Sequence, residues 1–178
     1  MKNSDGHWVA TAHFPSWIGF QALSRSHLQG GSEAFATGVA EVEFLSAEKG
    51  TGKPNAADTQ LAAWVIQHEA EISVSLLSSL LKEYPSIKER FEEFLGDELT
   101  TLMPDVKSAD DFRALIGFQG VFIHATRKDG LPYAGFCFDC SWDDEHGLGV
   151  LMHGARVVEI GGMDTAFLWW MPVRDAEK

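Results

Sequence analysis

A dense group of ionisable side chains lies in the second half of the chain, in the run from Trp142 to Gly149 (WDDEHGLG). Asp143, Asp144 and Glu145 supply hard carboxylate oxygens and His146 adds an imidazole, a donor set that suits a divalent cation. A carboxylate beside a histidine is also the pairing that general acid–base catalysis uses. The same residue types stabilise turns by accepting backbone N–H bonds, so a purely structural turn is a third interpretation.

Strand periodicity before this cluster predicts which side chains face the core. Alternation places four side chains on the core face: Phe136, Phe138, Cys140 and Trp142. The opposite face then carries Asp139 and Asp143, which lie about 13 Å apart along a straight strand unless a bend brings them closer. Arg156, on a later strand, is a candidate to join this group in space. The predicted binding residues are Asp139, Asp143, Asp144, Glu145, His146 and Arg156.

Cys137 and Cys140 have the CxxC spacing of redox and zinc sites. However, residues three apart on a strand point to opposite faces, no helical pattern follows the pair, and the sequence holds no second pair. We therefore interpret both as structural cysteines and predict neither a metal nor a cofactor. The fragment from Gly50 to Lys53 (GTGK) lacks the spacing of a phosphate-binding loop.

Residues 1–50 and 55–96 differ in pattern, and each predicts one kind of element. The first segment predicts strands, broken at Pro15 and by a turn at residues 29–32, with Val39 to Leu45 alternating between a wet and a dry face. The second segment predicts helix, because apolar residues recur at mostly fourfold spacing. Pro85 suits the first turn of a second, shorter helix, so we predict a division there.

Residues 110–172 predict an antiparallel meander of four strands with short connections. Asp129–Gly130 is a typical hairpin turn pair, and a further turn falls at Gly154. The terminal run FLWWMP predicts a last edge strand. If one of Trp169 and Trp170 were exposed instead of packed, it would form a contact patch.

These segments together predict a single α+β domain over residues 1–178. Its core is an antiparallel sheet, built from the C-terminal four-stranded meander and the N-terminal strands, with the central helical segment packed on one face. A chain of 178 residues needs neither a metal nor a disulfide merely to fold, because it buries enough surface without them.

The formal net charge of −12 bears on the class of partner. It argues against nucleic acid, which requires a basic surface, and it suits either a basic protein partner or plain solubility. No apolar run approaches the length of a membrane span, and the polar start is unlike a signal peptide. We expect a cytoplasmic protein with reduced cysteines that binds no membrane.

The run WDDEHGLGVLMHGARVVEIGGMDTAF resembles the end of an uncharacterised bacterial family whose members share a WDxEHGLGV motif. The upstream run DTQLAAWVIQHEAEISVSLLSSLLKEYP is similar to that family's long helix, so the resemblance covers most of the chain. The resemblance implies no known activity. It implies a likeness to the small cytosolic proteins that accompany polymorphic toxin systems in bacteria.

The sequence therefore favours a small binding protein over an enzyme. One version of this hypothesis is an immunity-type protein that captures a basic toxin, with charge complementarity speeding association. The alternative is a metal-dependent hydrolase that uses the acidic and histidine residues at 143–146.

Overall fold

The computed structural model of the chain describes residues 2–4, 7–21, 37–45 and 53–178. Its strands form one sheet in chain order, β1 to β7. The strands are β1 (Lys2–Ser4), β2 (His7–His13), β3 (Val39–Leu45), β4 (Ile116–Lys128), β5 (Leu131–Cys140), β6 (Leu148–His153) and β7 (Arg156–Gly161). The turn predicted at residues 29–32 and most of the GTGK fragment lie outside the described residues.

Neighbouring strands pair antiparallel with one exception among the described residues, the parallel pair β3–β4, in which Val42 lies opposite Val121. A parallel connection needs a long crossover, and here the helices occupy it: α1 (Ala56–Gln67), α2 (Glu69–Leu95) and the short α3 (Leu99–Leu102). The α+β prediction is confirmed. The parallel pair is a feature that the local sequence pattern did not predict.

The helical segment begins at a capping box. The Asn55 side chain accepts from the N–H groups of Ala57 and Asp58, and Asp58 accepts in return from the Asn55 N–H. The segment divides at His68, whose ring stacks on Trp64 at 4.1 Å and bonds the Trp64 carbonyl. The predicted start near 55 is therefore confirmed, but the division falls at 68.

The predicted helix boundary at Pro85 is wrong, because α2 continues through it. Proline removes one backbone N–H and crowds the preceding turn, at a cost of about 3 kcal/mol. The apolar stripe of the helix nevertheless runs on without a change of face, since Leu80, Tyr84 and Ile87 are all buried at helical spacing. Packing on both sides of Pro85 holds the helix together.

The core between helices and sheet is dense in aromatic rings. Trp17, in a 3-10 turn at Pro15–Trp17, stacks on Phe118 at 5.4 Å and meets Phe138 edge to face at 5.0 Å. Tyr84 of α2 meets Trp142 edge to face at 5.8 Å. Trp142, which follows β5, is 3% exposed, so the prediction that its side chain faces the core is confirmed.

Two predicted features of the strands are confirmed. In β3, Ala40, Val42 and Phe44 are buried while the residues between them are half-buried or exposed. At the β4–β5 hairpin, Asp129 and Gly130 have positive φ angles of 52° and 76°, as a type I′ turn requires.

The end of the chain differs from the prediction. The meander ends at Gly161, followed by a 3-10 turn (Met163–Ala166) and α4 (Trp170–Ala176), so the predicted last edge strand at 167–172 is wrong. This segment packs on the sheet face opposite α1 and α2, and β5 is consequently buried on both faces over most of its length. No helix in the described part of the chain is long and apolar enough to cross a membrane.

Candidate functional site

The acidic cluster forms a tight turn between β5 and β6. Asp143 Oδ1 accepts hydrogen bonds from the backbone N–H of His146 at 3.0 Å and lies 3.1 Å from the ring Nδ1 of the same residue. The Gly147 N–H closes the turn by donating to the Asp143 carbonyl at 2.9 Å. Gly147 has a φ of 58°, a left-handed conformation that glycine adopts without strain. One carboxylate oxygen of Asp143, Oδ1, is therefore used in hydrogen bonds that stabilise the turn.

The remaining acids of the cluster do not converge on one point. Asp144 and Glu145 are exposed at the tip of the turn. Asp139 contacts the side-chain amide of Gln119, which stands at a β-bulge between Phe118 and Gly120. Among the described residues, no three His, Cys, Asp or Glu side chains are arranged to hold a metal ion.

Arg156 does not join this cluster. It begins β7 opposite His153, whereas the acidic turn leads into Leu148, at the other end of β6. Five residues of strand, about 17 Å, separate the two positions. Arg156 instead forms an ion pair with Asp175 of α4. The prediction that Arg156 could complete the site is wrong, because a hairpin turn places the start of β7 at the far end of the sheet.

Asp175 is the anchor of α4. It is 7% exposed and accepts a hydrogen bond from the Tyr133 hydroxyl at 2.7 Å in addition to its ion pair with Arg156. Burial raises the pKa of this carboxyl, but the bonds from Arg156 and Tyr133 outweigh burial and hold the pKa below its usual value. The network is best explained as a fastening of α4 to β5 and β7.

Close backbone contact explains two glycines, Gly149 of the motif and Gly135 of β5. A Cβ on Gly149 would lie 2.4 Å from the Gly162 carbonyl oxygen, and a Cβ on Gly135 would overlap the Ala166 carbonyl. The 3-10 turn at Met163–Ala166 therefore lies directly on the bare backbone of β5 and β6. The Met163 N–H donates to the His146 carbonyl at 2.8 Å, which ties this turn to the acidic turn.

The two cysteines are free and buried on opposite faces of β5. Burial is the largest cause that raises the pKa of each thiol to about 12, so neither is a ready thiolate. The Cys140 thiol donates to the Asp143 carbonyl at 3.6 Å. The structural interpretation of the pair agrees with these surroundings.

A cleft of about 320 Å³ opens beside the acidic turn. We call it the α2–turn cleft; its lining is Ile87, Arg90, Phe91, Trp142, Asp143, Gly147, Leu148, Ile160, Gly161 and Gly162. Arg90 was not predicted as a site residue. It stands more than fifty residues before Asp143 on an exposed helix face, so nothing local in the sequence joins the two.

A second surface feature lies at α4. The aromatic patch consists of Phe167, Trp169, Trp170 and Val173, whose residues are between 37% and 72% exposed, with Trp169 the most exposed. Arg174 lies over the Trp170 ring at 5.0 Å from its centroid. An exposed Trp169 or Trp170 was the alternative to the predicted edge strand, and in the structure both side chains are exposed.

The comparisons with known proteins bear on the family. Residues 24–168 match the family described as Domain of unknown function (DUF6985). The match includes the acidic turn, every residue that lines the cleft and the glycines of β5 and β6, and it ends before the most exposed tryptophan. No curated protein and no solved structure matches the chain. Since the match covers most of the sequence, the chain belongs to the DUF6985 family of domains of unknown function.

Proposed function

We propose that this chain is a protein-binding domain whose partner is a basic protein. The observation that carries the proposal is the exposed aromatic patch, in which Trp169 is 72% exposed and Trp170 lies beside it. Large exposed apolar groups on a folded domain mark contact surfaces, and tryptophan is among the residues that contribute most to binding energy.

The charge of the chain supports a basic partner. A net charge of −12 creates a field that accelerates the approach of a positively charged protein and repels an acidic one. The exposed Asp144 and Glu145 at the tip of the acidic turn add to this field. In its specific form the proposal is an immunity-type role in the cytoplasm, in which the domain captures a basic toxin. Two free, buried cysteines suit that reducing compartment.

The described residues favour this proposal over the metal-dependent alternative. Asp143 directs one carboxylate oxygen at its own turn, Asp144 and Glu145 point to solvent, and no three candidate ligands converge. The protein-binding role is therefore the one function that we propose.

The test is affinity capture from native cells with wild-type protein and with the double variant Trp169→Ala, Trp170→Ala. The matched control is Phe94→Ala, which removes an aromatic ring that is 76% exposed on α2, outside the patch. We expect the wild type and the control to retain a basic protein that the double variant loses, and binding to weaken as salt rises. Capture of no basic protein, or equal capture by the double variant, would contradict the proposal.

A further inference from the structure

The α2–turn cleft has the size and wall chemistry of a small-molecule site. Its volume of about 320 Å³ is at the lower end of the range of ligand pockets, roughly 300–1,000 Å³. Five of its lining side chains are apolar: Ile87, Phe91, Trp142, Leu148 and Ile160. This combination suits a compact ligand with an apolar body.

The apolar walls are held rigidly by the core. Ile87, Trp142 and Leu148 are each no more than 4% exposed, so their positions are determined by packing. The Trp142 ring is further fixed by its edge-to-face contact with Tyr84, whose hydroxyl donates to the Pro104 carbonyl at 3.0 Å. A preformed wall of this kind lowers the entropic cost of binding.

The cleft contains two side chains of opposite charge, which come from different elements. Arg90 projects from α2 and forms no hydrogen bond, ion pair or ring contact with any residue that the structure describes. Asp143 lies on the acidic turn, and only its Oδ1 is used in the hydrogen bonds found among the described residues. One guanidinium and one carboxylate oxygen are therefore available to a ligand.

We propose that the α2–turn cleft binds a free α-amino acid with an apolar side chain. The ligand carboxylate meets Arg90, whose planar guanidinium suits a carboxylate. The ligand ammonium donates to Asp143, and the side chain packs against Phe91 and Ile160, the half-buried apolar side chains of the lining. A ligand with both charges is favoured because it pairs with both Arg90 and Asp143, whereas a ligand with a single charge pairs with only one of them.

This inference is independent of the protein-binding proposal. The cleft lies beside the turn that leads into β6, whereas α4 is fastened by Asp175 near the opposite end of the sheet. The aromatic patch forms no part of the cleft lining. Either proposal can fail while the other holds.

The experiment is a titration of the full chain with L-phenylalanine, L-tryptophan and L-leucine, followed by NMR. We expect saturable shifts of the Trp142 indole N–H and of the Gly147 and Gly161 amides. 3-Phenylpropionate and phenethylamine, which each carry one of the two charges, should bind at least about tenfold more weakly than L-phenylalanine. Absence of saturable shifts at millimolar amino acid, or equal binding of either analogue, would overturn the proposal.

Two substitutions test the roles of the charged groups. Arg90→Gln removes the guanidinium from an exposed position, and Asp143→Asn keeps the turn acceptor while removing the charge. Each should weaken L-phenylalanine by about tenfold or more. Lys82→Gln, an exposed change on α2 outside the cleft, should leave binding unchanged. Unchanged affinity in both cleft variants would also overturn the proposal.

Discussion

At the scale of single residues, the motif from Trp142 to Gly149 combines packing, turn geometry and an open surface. Trp142 is a core side chain, Asp143 and Gly147 form the turn, and Gly149 allows the chain to cross the sheet at close range. Of the Asp143 carboxylate, only Oδ2 remains available to a ligand in the cleft. Most residues of the motif therefore have a structural role in the turn between β5 and β6, and the same turn forms one side of the α2–turn cleft.

Replacement of Gly149 by alanine should destabilise the domain. The added Cβ would lie 2.4 Å from the Gly162 carbonyl, so the backbone must shift, at a cost of about 1–3 kcal/mol. Urea denaturation measures the change. Gly162→Ala is the control, since φ there is −62° and the nearest atom is a flexible Asp164 oxygen at 3.2 Å. Equal stability of the two variants would show that the close approach is unimportant.

His124 should make stability depend on pH. It is 2% exposed, and its Nε2–H donates to the Ala166 carbonyl at 2.8 Å. Burial lowers its pKa from 6.5 to about 4, although the hydrogen bond opposes that shift. Between these values the unfolded chain binds more protons than the folded one, so stability rises with pH. The difference corresponds to a contribution on the order of 3 kcal/mol, present above pH 6.5 and lost as the pH falls towards 4.

The variant His124→Gln removes this titration while keeping a side-chain N–H donor. We expect its free energy of unfolding, measured by urea denaturation at several pH values, to vary less steeply between pH 4 and 6.5 than that of the wild type. An unchanged slope would mean that other groups cause the pH dependence of the protein.

At the scale of elements, α2 shows how tertiary packing overrides a local breaker. Pro85 is exposed within the helix, and the buried stripe continues from Leu80 through Tyr84 to Ile87. The helix also supplies three of the residues that line the cleft, Ile87, Arg90 and Phe91. All three follow Pro85, so the helix must continue through the proline for the cleft to have this wall.

Pro85→Ala should stabilise the protein, because it restores a backbone N–H and removes the clash with the preceding turn. We expect a gain of about 1–3 kcal/mol in the free energy of unfolding. Ser86→Ala, the neighbouring exposed position, is the control and should change stability by only a few tenths of a kcal/mol. Thermal denaturation separates the two, and a loss of stability in Pro85→Ala would contradict this account of α2.

At the scale of the whole molecule, the sheet is covered on both faces by segments from different parts of the chain. The crossover helices cover one face, and residues 162–176 cover the other through the glycine contacts and the Asp175 network. Burial of both faces explains why β5 and β6 are almost wholly buried although they belong to a meander.

Truncation should separate the two parts of the C-terminal cover. A chain of residues 1–168 keeps the 3-10 turn on Gly135 and Gly149, so we expect it to fold with lower stability. A chain of residues 1–161 exposes that sheet face, and we expect loss of cooperative unfolding and binding of a hydrophobic dye. Cooperative unfolding of the shorter chain with wild-type stability would show that the cover is dispensable.

The WDxEHGLGV motif indicated an uncharacterised family, and the residue pattern predicted the α+β class, the alternation of β3, the hairpin at Asp129–Gly130 and the inward face of Trp142. These features follow from local periodicity and from turn residues whose backbone preferences act over a few positions. The acidic turn was also located correctly, because its residues are adjacent in the chain.

Long-range packing established the parallel pair β3–β4, the continuity of α2, the helical end of the chain and the presence of Arg90 and Asp143 in one cleft. Each depends on which distant segments pack together, and the gain from that packing outweighs local preference. Arg156 shows the reverse case: it lies only seven residues beyond Gly149, yet β6 and the turn that follows it place Arg156 at the far end of the sheet. Closeness in the sequence therefore predicted the acidic turn correctly, but it did not predict which residues line the α2–turn cleft.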